Sequence, residues 1–166
     1  MSIHLNTVNI ENLRSIKNAG VDLNPFTVMF GMNDSGKSNF LLALGLALGS
    51  KNITEKDIHC SQNTIFSTDT CVIIDLMFVP IDEAGKRTEV FDDTWGRHLG
   101  DNIQSDKFDR DFFAFRTKFT YDVDKGEYGK ERILITSWDE NKITEGKLIG
   151  NTNIKTFVVL TERDRL

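Results

Sequence analysis

The most definite chemistry in this sequence sits in eight residues near its amino terminus. Gly31-Met32-Asn33-Asp34-Ser35-Gly36-Lys37-Ser38 spells G-x-x-x-x-G-K-S, the spacing of a phosphate-binding loop. Gly31 and Gly36 let the backbone turn tightly and approach phosphate oxygens with no Cβ in the way. Successive amide N–H groups can then converge on an anion, reinforced by the positive end of a helix starting near Lys37. Lys37 supplies a point charge for β- and γ-phosphates, and the Ser38 hydroxyl a ligand for Mg²⁺. The nucleotide-contacting set read from the loop is Gly31, Asn33, Asp34, Ser35, Gly36, Lys37, Ser38 and Asn39. Asp34 would repel phosphate if it pointed inward, so it is expected to face solvent or a partner. The competing reading is a chance glycine turn ahead of a core helix.

Such a loop works only between a strand and a helix, and both flanks have the right character. Residues 26–30 are an apolar, β-prone run short enough for a buried strand. Residues 39–48 are helix formers, apolar nearly all round, with Gly49 as a natural stop. Gly45 inside that helix marks either a close neighbour or a weak spot. Upstream, residues 3–10 read as a first strand and 19–23 as a second, broken by Asn24-Pro25. Downstream, strands are predicted at 71–79, 112–123 and 131–139, the last two joined through a glycine-containing loop at 124–130. Phe113, Phe115, Thr117, Phe119, Tyr121 and Val123 share one strand face. A short helix is expected at 54–58, another within 89–103, polar loop at 141–153, and a final apolar strand at 155–160.

The composition is that of an ordinary globular domain: 39% hydrophobic and 27% charged over 166 residues, a one-domain length. A net charge of −5 argues against a strongly basic nucleic-acid module, though not against a local DNA contact. Cys60 and Cys71 form no metal-type cluster. With no secretory signal and no apolar run long enough to span a bilayer, the expected setting is the cytoplasm. His4, His59 and His98 are scattered and adjoin no acid–nucleophile pattern. The Phe-rich stretch 108–119 is explained by core burial more simply than by base stacking, and 125–130 by a solvated hairpin loop.

Three stretches together carry a family likeness. Val8-Asn9-Ile10-Glu11-Asn12-Leu13-Arg14-Ser15-Ile16, Leu23-Asn24-Pro25-Phe26-Thr27-Val28 and Gly31 to Leu41 resemble the opening of ABC-type ATPases of the RecF/SMC class. Within that class they are most similar to the OLD (overcoming lysogenisation defect) ATPase-nucleases, including the Gabija-type anti-phage enzymes. The likeness is specific over residues 3–50 and topological beyond them. Leu13 departs from the family's usual aromatic but keeps its packing role.

The resemblance implies an α/β fold, a P-loop NTPase whose mixed sheet surrounds the P-loop helix, with an antiparallel β subdomain. On that plan residues 1–50 form the P-loop core, 65–140 the β lobe, and 154–166 a return strand. It implies ATP and Mg²⁺ as cofactors, Arg14 near the nucleotide, and a second ATPase head as partner, in a homodimer or higher oligomer. DNA processing, in repair or anti-phage defence, is implied for the whole protein, with a nuclease domain.

Other parts of such an ATPase are not legible. Asp75 follows four apolar-type residues like a Walker B acid, but the apolar run continues, placing it mid-strand. Residues 157–160 lead to Thr161-Glu162, where an Asp-Glu pair would stand, and no signature loop follows Lys37. No catalytic residue is assigned, and the expectation is an incomplete, N-terminal portion of an ATPase domain, inactive alone. Two alternatives remain: a small stand-alone kinase or GTPase using Asp75 for Mg²⁺, and a non-catalytic interaction module from a split ATPase.

Overall fold

Four long strands build one antiparallel sheet with apolar side chains buried on both of its faces. The computed structural model describes residues 2–32, 36–60, 67–139 and 142–150. The strands are β1 (Ser2–Leu13), β2 (Ile16–Asp22), β3 (Val72–Ile81), β4 (Gln104–Ser105), β5 (Asp111–Asp122), β6 (Glu127–Asp139) and β7 (Lys142–Leu148). Their spatial order is β2-β1-β3-β5-β6-β7, with β4 added on β5. The helices are α1 (Lys37–Leu48) and α2 (Asp93–Leu99).

Register decides which side chains form the core, because successive residues point to opposite faces. Val8 lies opposite Leu76 and Ile10 opposite Ile74; Leu76 lies opposite Phe115, and Phe115 opposite Leu134. This row forms the main core, with Phe40, Ala43, Leu46 and Ala47 of α1 and Trp95 and Leu99 of α2 packed into it. The expected alternation on β5 holds for Phe113, Phe115, Thr117 and Phe119, all buried, while Val123 falls beyond the strand and is exposed. The other sheet face carries a smaller cluster of Met77, Val79, Phe112, Ala114 and Ile135.

Several boundaries differ from expectation for local reasons. The 89–103 helix is only seven residues long, because the Asp92 carboxylate caps the Trp95 N–H and Gly100, at φ 51°, ends it. The expected 54–58 helix is a single 3₁₀ turn at Glu55–Asp57. The 124–130 loop contracts to a turn around Gly126 at φ 67°, and β6 begins at Glu127. Residues 142–148, expected as loop, form edge strand β7. Its side chains are almost all exposed, so no hydrophobic alternation marked it.

Two corrections bear on the fold class. Residues 26–30 were expected as the strand of a mixed sheet, but they form no ladder, and Phe26 and Phe30 are 84% and 91% exposed. A β-prone run becomes a strand only when a neighbour takes its backbone hydrogen bonds, and no described strand lies in register with it. The described sheet is antiparallel throughout and unites β1 and β2 with β3, β5 and β6. The expected strand at 155–160 lies outside the described residues.

Candidate functional site

The amino-terminal end of α1 is built to accept negative charge. Gly36 takes φ 86° at the helix N-cap, a left-handed conformation that penalises a side chain. The first intrahelical bond runs from the Phe40 N–H to the Gly36 carbonyl at 2.9 Å. Gly36 has no side chain with which to cap the helix, and the first turn holds no acid. The N–H groups of that turn and the positive end of the helix dipole therefore favour an anion.

Lys37 folds back across the loop, its Nζ donating to the Gly31 and Met32 carbonyls at 2.5 and 2.7 Å. The ammonium thus spans both ends of the loop, where it can exchange carbonyl partners for phosphate oxygens. Ser38 is exposed one position on, its hydroxyl open to solvent chemistry. Asn33, Asp34 and Ser35 lie outside the described residues, and the expected facing of Asp34 with them.

The β1–β2 turn stands beside this helix end. Asn39 Nδ2 donates to Ser15 Oγ at 2.7 Å, and a Cβ on Gly36 would come 3.6 Å from the same oxygen. The sequence motif grouped Ser15 with Arg14 but did not assign it to the site; geometry does. Asn12 and Arg14 both take positive φ, 59° and 48°, and segment 54–59 holds them there. The Arg14 N–H donates to the Asp57 carbonyl at 2.7 Å, and the His59 N–H to the Asn12 carbonyl at 2.8 Å.

Arg14 itself is directed to Asp57, with Nε and Nη2 each 2.8 Å from Oδ1. Partial burial would raise the Asp57 carboxyl, but the Thr54 backbone amide and the Arg14 guanidinium outweigh it and hold it below its ordinary value. The turn is thus next to the loop while the Arg14 charge is engaged elsewhere. Between β2 and the extended 26–30 run, an apolar hollow of about 390 Å³ opens beside Gly36 and Lys37, walled by Ile16, Val21, Val28 and Phe30.

Asp75 does not belong to this site. It shares its face of β3 with Met77 and Val79, whereas α1 packs against the Ile74 and Leu76 face. Its carboxylate is paired with Arg116, and this removes the metal acid on which the kinase or GTPase alternative relied. Among the described residues no group of three or more His, Cys, Asp or Glu could hold a metal ion. No described helix is long and apolar enough to cross a membrane.

The opposite end of α1 holds a feature the sequence reading missed. Lys130 was expected in a solvated hairpin loop; instead its Nζ donates to the Leu46, Gly49 and Lys51 carbonyls. Burial, and Arg132 beside it, push the Lys130 ammonium down to about 8. A signal was present, since Lys130 and Arg132 share strand parity with Tyr128 and Leu134, which face the core. A cation at an inward strand position needs an acceptor there.

Two comparisons with known proteins agree with this geometry. Residues 3–162 match the family model described as "AAA ATPase domain". A stretch of 59 residues is 41% identical to the "Old nuclease" of Escherichia phage P2, covering 36% of this chain and 10% of that protein.

Proposed function

This chain belongs to the AAA ATPase domain family, and from that footing we propose that it is an ATPase of the OLD class whose Gly31–Asn39 loop holds the triphosphate of ATP as a P-loop. The observation that carries this is the left-handed Gly36 opening an acid-free first turn of α1, with Lys37 lying across the loop carbonyls. The donor set fits a polyphosphate: helix amides behind Gly36, the Lys37 ammonium, and a hydroxyl at Ser38 able to reach Mg²⁺. Bound Mg²⁺ would neutralise charge on the β- and γ-phosphates. The chain's own residues bind and orient. Ser15 and Asn39 fix the β1–β2 turn against the phosphate loop, and Arg14 is available there once released from Asp57.

ATP would then draw two such heads together, and hydrolysis would release them, passing the nucleotide state to an attached effector. For the whole protein that effector is proposed to process DNA, in repair or defence, with a nuclease domain; the partial match to a phage protein named a nuclease supports this. The exposed apolar ridge of Phe26, Val28, Phe30, Met32 and Leu41 supports further ATPase strands packing there, since large exposed apolar patches mark surfaces that meet a partner.

Binding of a fluorescent ATP analogue tests the reading. Lys37→Ala should weaken affinity by about 10- to 100-fold, the loss of a charge-assisted hydrogen bond. Unchanged affinity would remove the site. Residues 1–166 alone should bind nucleotide with negligible turnover, and sizing with and without ATP should reveal nucleotide-dependent pairing of the whole protein.

A further inference from the structure

The last carbonyls of a helix lack intrahelical donors and carry the negative end of its dipole. The last turn of α1 contains no basic residue of its own. Two cations from β6, far away in sequence, take that place. Arg132 donates from Nε and Nη2 to the Ala47 carbonyl at 3.0 and 2.8 Å, and from Nη2 to the Gly49 carbonyl at 2.6 Å. Lys130 Nζ donates to the carbonyls of Leu46, Gly49 and Lys51 at 2.6, 2.8 and 3.1 Å. Arg132 is 6% exposed, and β6 is laddered to β5 through Thr117–Arg132 and Phe119–Lys130. The clamp is therefore anchored on an interior strand, between β5 and β7.

What else sets the position of α1 along its axis is weak in direction. Its packing residues are Phe40, Leu46 and two alanines, with Leu42, Leu44 and Leu48 partly buried beside them, and apolar contact is non-directional. At the other end Asn39 Nδ2 donates to Ser15 Oγ near the surface. The carbonyl clamp is short, charge-assisted and directional.

We propose that Arg132 and Lys130 are positioning residues for the nucleotide site, holding α1 so that the amides at Gly36–Ser38 stand at a fixed place relative to the β1–β2 turn. This rests on the reading of that helix end as a phosphate site. Neither residue touches nucleotide. They act through the helix, and linkage makes the effect reciprocal: nucleotide seated at one end of α1 tightens the clamp at the other.

The test combines titration with a fluorescent ATP analogue plus Mg²⁺ and amide hydrogen exchange, on the wild type, Lys130→Met, Arg132→Lys and Arg132→Gln. In the wild type, nucleotide should slow exchange in β6 around residues 130–134 as well as at the start of α1. Each variant should bind about 5- to 20-fold more weakly, a modest displacement of well-oriented donors. The β6 protection should vanish in them while the α1 start remains protected by saturating nucleotide. A merely structural role would lower thermal stability without breaking that link. Wild-type affinity in the variants, or β6 exchange indifferent to nucleotide in the wild type, overturns the proposal. Should the Arg132 variants fail to fold, Lys130→Met decides it alone, because Lys130 is only partly buried. Failure of the wild type to bind nucleotide is a separate outcome and overturns the phosphate-site reading itself.

Discussion

Arg116 grips Asp75 with both arms of its guanidinium, Nε to one carboxylate oxygen at 2.8 Å and Nη2 to the other at 2.9 Å. The two residues face each other across the β3–β5 ladder, and Glu145 of β7 takes the remaining nitrogen at 2.7 Å. Burial pushes the Asp75 carboxyl up while Arg116 opposes it, and Asp75 in turn holds the guanidinium above its ordinary value.

Removing one partner strands a buried charge. Arg116→Met alone, which leaves the Asp75 carboxylate buried and without its cation, should cost about 3–5 kcal/mol, whereas adding Asp75→Leu should restore most of it. Chemical denaturation measures both. Nucleotide affinity of any folded Asp75 variant should match the wild type, and a selective loss of Mg²⁺-dependent binding would contradict the placement of Asp75 away from the loop.

The Arg14–Asp57 latch predicts an acid-side loss of stability. Asp57 titrates below its ordinary value of 3.8 in the folded chain. Its contribution is therefore present above 3.8 and lost as the pH falls through the lower folded value. Thermal midpoints recorded across that range should fall more steeply in the wild type than in Asp57→Asn. Parallel curves would show that the latch contributes nothing.

Two glycines of one helix should respond oppositely to alanine. A Cβ at Gly45 would meet nothing within 4 Å, so the residue is a weak spot, and Gly45→Ala should stabilise by roughly 0.5–1 kcal/mol. At Gly49 the same atom would lie 2.5 Å from the Gly45 carbonyl oxygen. Gly49→Ala should destabilise the chain and loosen the carbonyls that Arg132 and Lys130 hold. Denaturant midpoints separate the two cases, and equal signs would refute the geometry.

The helix from Lys37 and the strands expected at 71–79, 112–123 and 131–139 were legible, though not to their exact ends, because their patterns are local: a glycine loop before an apolar run, or alternation such as Phe113-Phe115-Thr117-Phe119. What could not be read depends on residues distant in sequence. Residues 26–30 have strand composition, yet whether they pair depends on a neighbour that a propensity does not supply. Lys130 read as a loop charge until the end of α1 was placed against it. Ser15 stood inside a recognised motif, but its bond to Asn39 required the turn and the helix to be brought together. Asp75 shows the reverse hazard, a motif-like acid whose strand face points it away from the chemistry.

The strand order also has a consequence for how the molecule comes into being on the ribosome. β1 and β2 emerge together and can pair at once, but Val8 and Ile10 must wait for Leu76 and Ile74, which follow only after the entire α1 segment. Such distant pairings close slowly because a long loop must be ordered first. Until they do, the nascent chain displays a half-built sheet and a greasy helix, a natural client for a chaperone that shields such surfaces.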